Sequence, residues 1–335
     1  MSPIQDQPAR RRRHPSLLPS PPMAATKLPP LSRRRALLGL AALASTSCRR
    51  SSSPPEPAPA PASSAAAPPG WEDLAFEPAA GDEGPQRALL LAPGDAAALP
   101  LLVALHGRGE AVRGAEVGAR GWRDDYGLDA TLERLRSPPL EPEDLGHMVT
   151  RERLAQLNAS LGAHPYRGMS IATPFTPDLR DRSVEGAAGF GRFVVERLLP
   201  RARAESGCQA ARTATGIDGV SLGGRLALLV GLSHPDVFGA VGALQPAVRA
   251  GEAEMFSMLA RRAMERRKVA LRLVSSEADP FLPAIQAISD RLRQDGVAHE
   301  LLIVPGPHDY AWNRGPGGVE MVLWHERVLR GLSPP

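Results

Sequence analysis

Gly219-Val220-Ser221-Leu222-Gly223 stands between an apolar run, 214–217, and a run of helical character, 224–230. An apolar strand, a turn of small residues and a helix therefore follow one another, with a serine at the junction. The turn is so tight that side chains at the flanking glycines would clash with backbone. That geometry lifts the Ser221 hydroxyl clear of the chain. The helix that starts immediately afterwards favours negative charge at its N-terminus, which suits a serine that attacks a carbonyl carbon.

Working outward, strands and helices alternate. The runs 87–91, 101–105 and 169–173 read as strands, the second apolar throughout and so buried on both faces. A helix is predicted over 189–199, ended by Pro200. Beyond the Ser221 turn come predicted strands at 237–244, 270–274 and 300–304. Helices are predicted over 282–295 and 319–332. The alternation implies an α/β fold with a mostly parallel central sheet and helices on both faces. The stretch 111–166 is longer than a simple crossover requires and reads either as a cap over the site or as a surface insertion.

The chain has 335 residues, 43% of them apolar, enough for a sizeable core, and 35 Pro and 32 Gly point to many loops. Its formal net charge is +4, but residues 1–50 alone carry ten basic side chains against Asp6, a net +9, which leaves −5 on the remainder. A mildly acidic body argues against nucleic-acid binding. Cys48 and Cys208 are the two cysteines. Cys208 reads as a small packing residue.

Residues 1–48 read as an export signal, with Met23 as an alternative start. Arg33-Arg34-Arg35 precedes an apolar run, 36–44, too short to span a bilayer. Ser32-Arg33-Arg34-Arg35-Ala36-Leu37 resembles a bacterial twin-arginine signal. Cys48 resembles the lipid-attachment cysteine of bacterial lipoproteins, although Ser45 stands where that pattern prefers leucine; cleavage after Ala42-Leu43-Ala44 is the other reading. Residues 49–70, rich in Ser, Pro and Ala, read as an extended spacer ahead of a domain at 71–335. The expectation is an exported protein, periplasmic or at the outer surface, with Cys48 as a membrane tether if lipidated.

Three further segments bear on chemistry. Leu105-His106-Gly107-Arg108-Gly109 follows a buried strand, where the Arg108 amide, or less favourably that of Gly109, could join the Leu222 amide in holding an oxyanion. Ser275-Ser276-Glu277-Ala278-Asp279-Pro280 follows another strand and offers Asp279, with Glu277 as runner-up, as an acid that orients a histidine. Pro305-Gly306-Pro307-His308-Asp309-Tyr310 follows the last predicted strand and offers His308 as general base. Of the other histidines, His106 belongs to the oxyanion loop and His14 to the leader. His147, His164, His234, His299 and His325 have no partner motif. Tyr310 and Trp312 read equally as pocket lining or as core.

The order Ser221, Asp279, His308 is that of the α/β-hydrolases. Gly219 to Gly224, the following His234-Pro235-Asp236-Val237-Phe238-Gly239-Ala240-Val241, and His308-Asp309-Tyr310-Ala311-Trp312 resemble the esterase D-like serine esterases. That family includes feruloyl esterases and S-formylglutathione hydrolases. The resemblance covers roughly 101–332 and is weakest at 111–166. It implies a carboxylic-ester hydrolase with a Ser-His-Asp triad and an acyl-enzyme intermediate, acting on a small-molecule or polysaccharide-linked ester. No metal or organic cofactor is implied. An acyltransferase with the same triad, or a tethered binding protein without activity, remains open at this point.

Overall fold

The computed structural model describes residues 70–78, 86–94 and 99–335. The export signal, Cys48 and the spacer up to residue 69 lie outside the described residues. Eight strands form one sheet: β1 (Trp71–Phe76), β2 (Gln86–Leu91), β3 (Leu101–Leu105), β4 (Ser170–Pro174), β5 (Thr215–Gly219), β6 (Ala240–Leu244), β7 (Ala270–Ser276) and β8 (Glu300–Val304). Their order is β1-β2-β4-β3-β5-β6-β7-β8. The pairs β1–β2 and β2–β4 are antiparallel and all others are parallel, as expected for strands joined by helical crossovers.

The principal helices are α1 (Leu128–Arg136), α2 (Arg151–Ala163), α3 (Val184–Arg192), α4 (Leu222–Ser233), α5 (Ala253–Arg266), α6 (Leu282–Gln294) and α7 (Gly318–Leu329). Alternation along β3 distributes its side chains: Leu101, Val103 and Leu105 pack with α3 to α6, whereas Leu102 and Ala104 pack with α1, α2 and α7. Helices therefore cover both faces. Each buried leucine contributes about 1.5–3 kcal/mol relative to exposure, which is why so apolar a strand goes to the centre.

Several boundaries depart from the sequence reading. The strand expected over 237–244 begins only at Ala240, because Val237 and Phe238 donate back to the His234 carbonyl in a turn. Pro200 does not end its helix. A wide π-helical turn, Phe193–Leu198, precedes it, and the helix resumes through Leu199–Ser206 with Pro200 at its start, where no amide donor is needed. Strand β1 and helix α5 are additional elements. Within the stretch 111–166, Trp122, Leu132, Leu145, Leu157 and Leu161 are buried in the core of the α7 face.

Candidate active site

The parallel register brings the C-terminal ends of the central strands to one edge. Leu105 stands opposite Gly219, Val220 bridges to Leu244, Leu244 pairs Val274 and Ser276 pairs Val304. Residues that immediately follow β3, β5, β7 and β8 therefore gather on that edge, however far apart they are in sequence.

Ser221 sits at φ 57° and ψ −112°, outside the regions that L residues favour. Such a backbone costs on the order of 1–3 kcal/mol and persists only where its surroundings impose it. Here the Val220 amide donates to Leu105 O (3.1 Å), the Ser221 amide to Leu244 O (2.9 Å), and the Ala247 amide to Ser221 O (2.9 Å). The glycines are explained by contact. A Cβ at Gly219 would lie 2.6 Å from the Gly223 carbonyl carbon, and one at Gly223 would lie 2.4 Å from Leu105 O and 2.6 Å from His106 O. Those obstacles are backbone and cannot move aside.

Ser221, Asp279 and His308 come together. His308 Nε2 lies 3.1 Å from Ser221 Oγ, and Nδ1 lies 2.9 Å from Asp279 Oδ1. Since a carboxylate accepts, Nδ1 carries the proton and Nε2 is free to accept the serine proton. Asp279 is 4% exposed; its Oδ2 accepts from Ser275 Oγ at 2.7 Å and its Oδ1 also accepts from the Phe281 amide at 3.0 Å. Glu277, the alternative acid, is exposed. The Phe281 ring packs edge-on against His308, with centroids 5.4 Å apart. Ahead of the histidine, Pro307 O accepts from Gln245 Nε2 (2.9 Å) and Ser276 Oγ (3.1 Å), which holds the loop down. Gln245, Ser275 and Ser276 were not singled out from sequence. Their only signal was position, directly after β6 and at the end of β7.

His106 is fully buried. Its Nδ1 donates to Gly107 O at 2.9 Å, and its Nε2 accepts from the Thr176 amide at 2.8 Å. Burial is the main cause that pushes its pKa down to about 4, so the ring is neutral and braces the loop. The Gly107 amide is engaged by Tyr126 Oη at 3.0 Å. Arg108 opens a single helical turn, Arg108–Ala111, and Leu222 opens α4, so both amides occupy first helical positions, which have no intrahelical acceptor. The buried Glu110 accepts from the Tyr126 hydroxyl and, at 2.8 Å, from the Tyr310 hydroxyl. It thereby joins the loop after β3 to the histidine loop. Trp312 is fully buried core, while Tyr310 is 43% exposed.

One sequence expectation is corrected. His325 does have a partner: its Nε2 lies 3.0 Å from Asp218 Oδ2, and both groups are buried beneath the Ser221 turn. Gly216 and Gly242 leave the room for this pair, since a Cβ at Gly242 would lie 1.9 Å from Asp218 Oδ2 and one at Gly216 would lie 2.6 Å from His325 Nδ1. Among the described residues, no group of three His, Cys, Asp or Glu is arranged to hold a metal ion.

Residues 173–310 match the family described as "Putative esterase". Over that segment the chain is similar to this esterase family. The matched segment contains Ser221, Asp279 and His308 and leaves out the loop after β3, so it is narrower than the resemblance at 101–332. No curated protein matches the chain by sequence. Among solved structures, a ferulic acid esterase superposes with a TM-score of 0.58 at 16% identity, covering 78% of this chain and 98% of the other. The S-formylglutathione hydrolase of Staphylococcus aureus gives 0.52 at 16%, covering 76% and 98%. The fluorophosphonate-binding serine hydrolase F of Staphylococcus aureus gives 0.54 at 14%, covering 77% and 99%. At these identities the likeness carries the α/β-hydrolase fold, and the family match carries the esterase class.

Proposed function

We propose that this esterase hydrolyses carboxylic esters through a Ser221–His308–Asp279 triad and an acyl-enzyme intermediate. The supporting observation is the unbroken hydrogen-bonded line from the buried Asp279 carboxylate through both His308 nitrogens to Ser221 Oγ. Ser221 attacks the ester carbonyl carbon while His308 Nε2 takes its proton, and Asp279 stabilises the imidazolium so formed. The Leu222 and Arg108 amides donate to the oxyanion of the tetrahedral intermediate; loss of one such donor costs about 10²–10³ in rate. When the carbon–oxygen bond to the alcohol breaks, His308 returns the proton to the leaving oxygen. It then takes a proton from water, whose oxygen attacks the acyl carbon, and as the bond from that carbon to Ser221 Oγ breaks it returns the proton to Oγ, releasing the acid.

A small-molecule or polysaccharide-linked ester is the proposed substrate. The ferulic acid esterase named above is consistent with a small-molecule ester. The twin-arginine-like stretch supports export to the periplasm or outer surface, with lipidated Cys48 as tether. The decisive experiment compares hydrolysis of a short-chain p-nitrophenyl ester by the wild-type chain and by Ser221→Ala. Activity should fall by at least about 10⁴-fold, and a fluorophosphonate probe should label only the wild type. Equal activity in the two would remove Ser221 from the reaction.

A further inference from the structure

On the same sheet edge as the Ser221 turn, a cavity of about 810 Å³ opens between the segment after β4 and the segment leading into α5; Ser221, Asp279 and His308 are not among its lining residues. Arg180, Arg182, Arg225, Arg249 and Arg262 line it. Two of these are committed elsewhere. Arg225, 4% exposed, makes a bidentate pair with Glu252 at 2.7 Å for both bonds, and Arg182 donates to Asp178 at 2.7 Å. Arg180 and Arg262 have no ion-pair partner within 4 Å among the described residues, and Arg249 lies near enough to Glu252 to help hold its carboxyl below the usual range while making no salt bridge of its own. Glu185 is the remaining acid on the wall. This local positive excess lies in a body whose net charge outside residues 1–50 is −5.

Apart from Ser183 and Gly251, the rest of the lining is apolar: Leu179, Val184, Met255, Met258 and Leu259. Two connections tie the cavity to the reaction centre. Arg225 follows Ser221 by one turn of α4, a rise of about 6 Å. Asp178, also on the wall, accepts from Arg108 Nε at 2.7 Å, and the Arg108 amide is a proposed oxyanion donor.

We propose that this cavity is a substrate subsite for an amphiphilic ester that carries an anionic group, held by Arg180, Arg249 and Arg262 over an apolar floor. Guanidinium groups suit carboxylate, sulfate and phosphate oxygens alike through paired N–H donors, so the oxyanion itself is the recognised chemistry. The proposal rests on Ser221 being the nucleophile.

The test uses the full chain and two pairs of esters. Mono-p-nitrophenyl glutarate against its methyl ester places the charge on the acyl arm; 4-acetoxybenzoate against its methyl ester places it on the alcohol arm. In one pair the anionic ester should show kcat/KM higher by about tenfold or more. The triple variant Arg180→Ala, Arg249→Ala, Arg262→Ala should bring the two esters to parity, with the neutral ester within about twofold of wild type. Parity in both pairs in the wild type overturns the proposal. Calorimetric titration of glutarate and 4-hydroxybenzoate into Ser221→Ala reads the cavity without turnover. Binding that disappears when the three arginine changes are added supports the subsite, even where no ester is hydrolysed and the Ser221 reading has failed. No binding, or binding that survives the three changes, overturns it.

Discussion

Two histidine–aspartate pairs lie close to the Ser221 turn, and they differ in which ring nitrogen meets the carboxylate and in their surroundings. His308 and Asp279 meet at 2.9 Å, His325 and Asp218 at 3.0 Å. The first histidine stands on a loop, its side chain 23% exposed, with its second nitrogen facing a serine hydroxyl. The second stands on α7, fully buried, with its Nδ1 lacking a partner among the described residues. Asp218 also accepts from the Gly219 amide at 2.7 Å, so this pair secures the strand beneath the turn. A histidine–aspartate contact alone therefore does not mark a reactive base. Access to solvent and a nucleophile on the far nitrogen do.

The sharpest way to separate the pairs is to remove each carboxylate in turn. Asp279→Asn leaves His308 without the acceptor that fixes its tautomer, and kcat/KM for a p-nitrophenyl ester should fall by about 10³–10⁴-fold. Its urea unfolding curve should shift little by comparison. Asp218→Asn should do the reverse: a loss of about 3 kcal/mol in unfolding free energy, as a buried hydrogen-bonded partner is removed, with kcat/KM of the folded protein within about threefold of wild type. An Asp218→Asn protein of full stability but lost activity would break the distinction.

His106 is a third buried imidazole and sharpens the comparison, because it has no carboxylate at all. Its pKa is pushed down to about 4 mainly by burial, below the ordinary value of 6.5. The unfolded chain therefore takes up a proton before the folded one does. Stability is fully present above pH 6.5 and falls as pH drops towards 4, by about 3 kcal/mol over that window. Urea unfolding at pH 7 and pH 4.5 should show this slope in the wild type and a shallower one in His106→Asn. Equal slopes would assign the acid sensitivity to other groups.

Much of the reactive end was legible because its constraints are local. The glycines around Ser221 are forced by backbone contacts within the motif and with the strand beside it, and a pattern of small residues records that directly. Asp279 and His308 could be chosen because parallel strands align their C-terminal ends. The core pair was not legible, since Asp218 and His325 are far apart in sequence and the glycines that admit them read as ordinary strand residues. The same holds for α7, where Glu320, His325, Glu326 and Arg327 look like a solvated face yet are buried. Glu320 takes Arg153 at 2.8 and 2.7 Å and Arg272 at 2.8 Å, partners that lie 167 and 48 residues away. Pairing of buried charges over such distances leaves no periodicity to read. Pro200 misled for the opposite reason: a local rule was overridden by the widened turn before it.

The smallest predicted effect concerns how the loop pair keeps its aim. Tyr310 stands two residues after His308, and its hydroxyl donates to Glu110 at 2.8 Å. That bond links the base loop to the segment that opens with the Arg108 amide. Burial and the bond to Glu110 push the Tyr310 pKa up to about 12, so it remains a donor throughout the working pH range. Tyr310→Phe deletes this one donor while Tyr126 still satisfies the carboxylate. The expected outcome is a fall in kcat of about threefold to tenfold, the worth of roughly one ordinary, partly solvent-exposed hydrogen bond, with KM nearly unchanged. The core pair, which shares no contact with Tyr310, should keep its stability contribution, so the unfolding difference between wild type and Asp218→Asn should be the same in the Tyr310→Phe background. An unaltered kcat would mean that the Gln245 and Ser276 bonds to Pro307 fix the histidine loop by themselves.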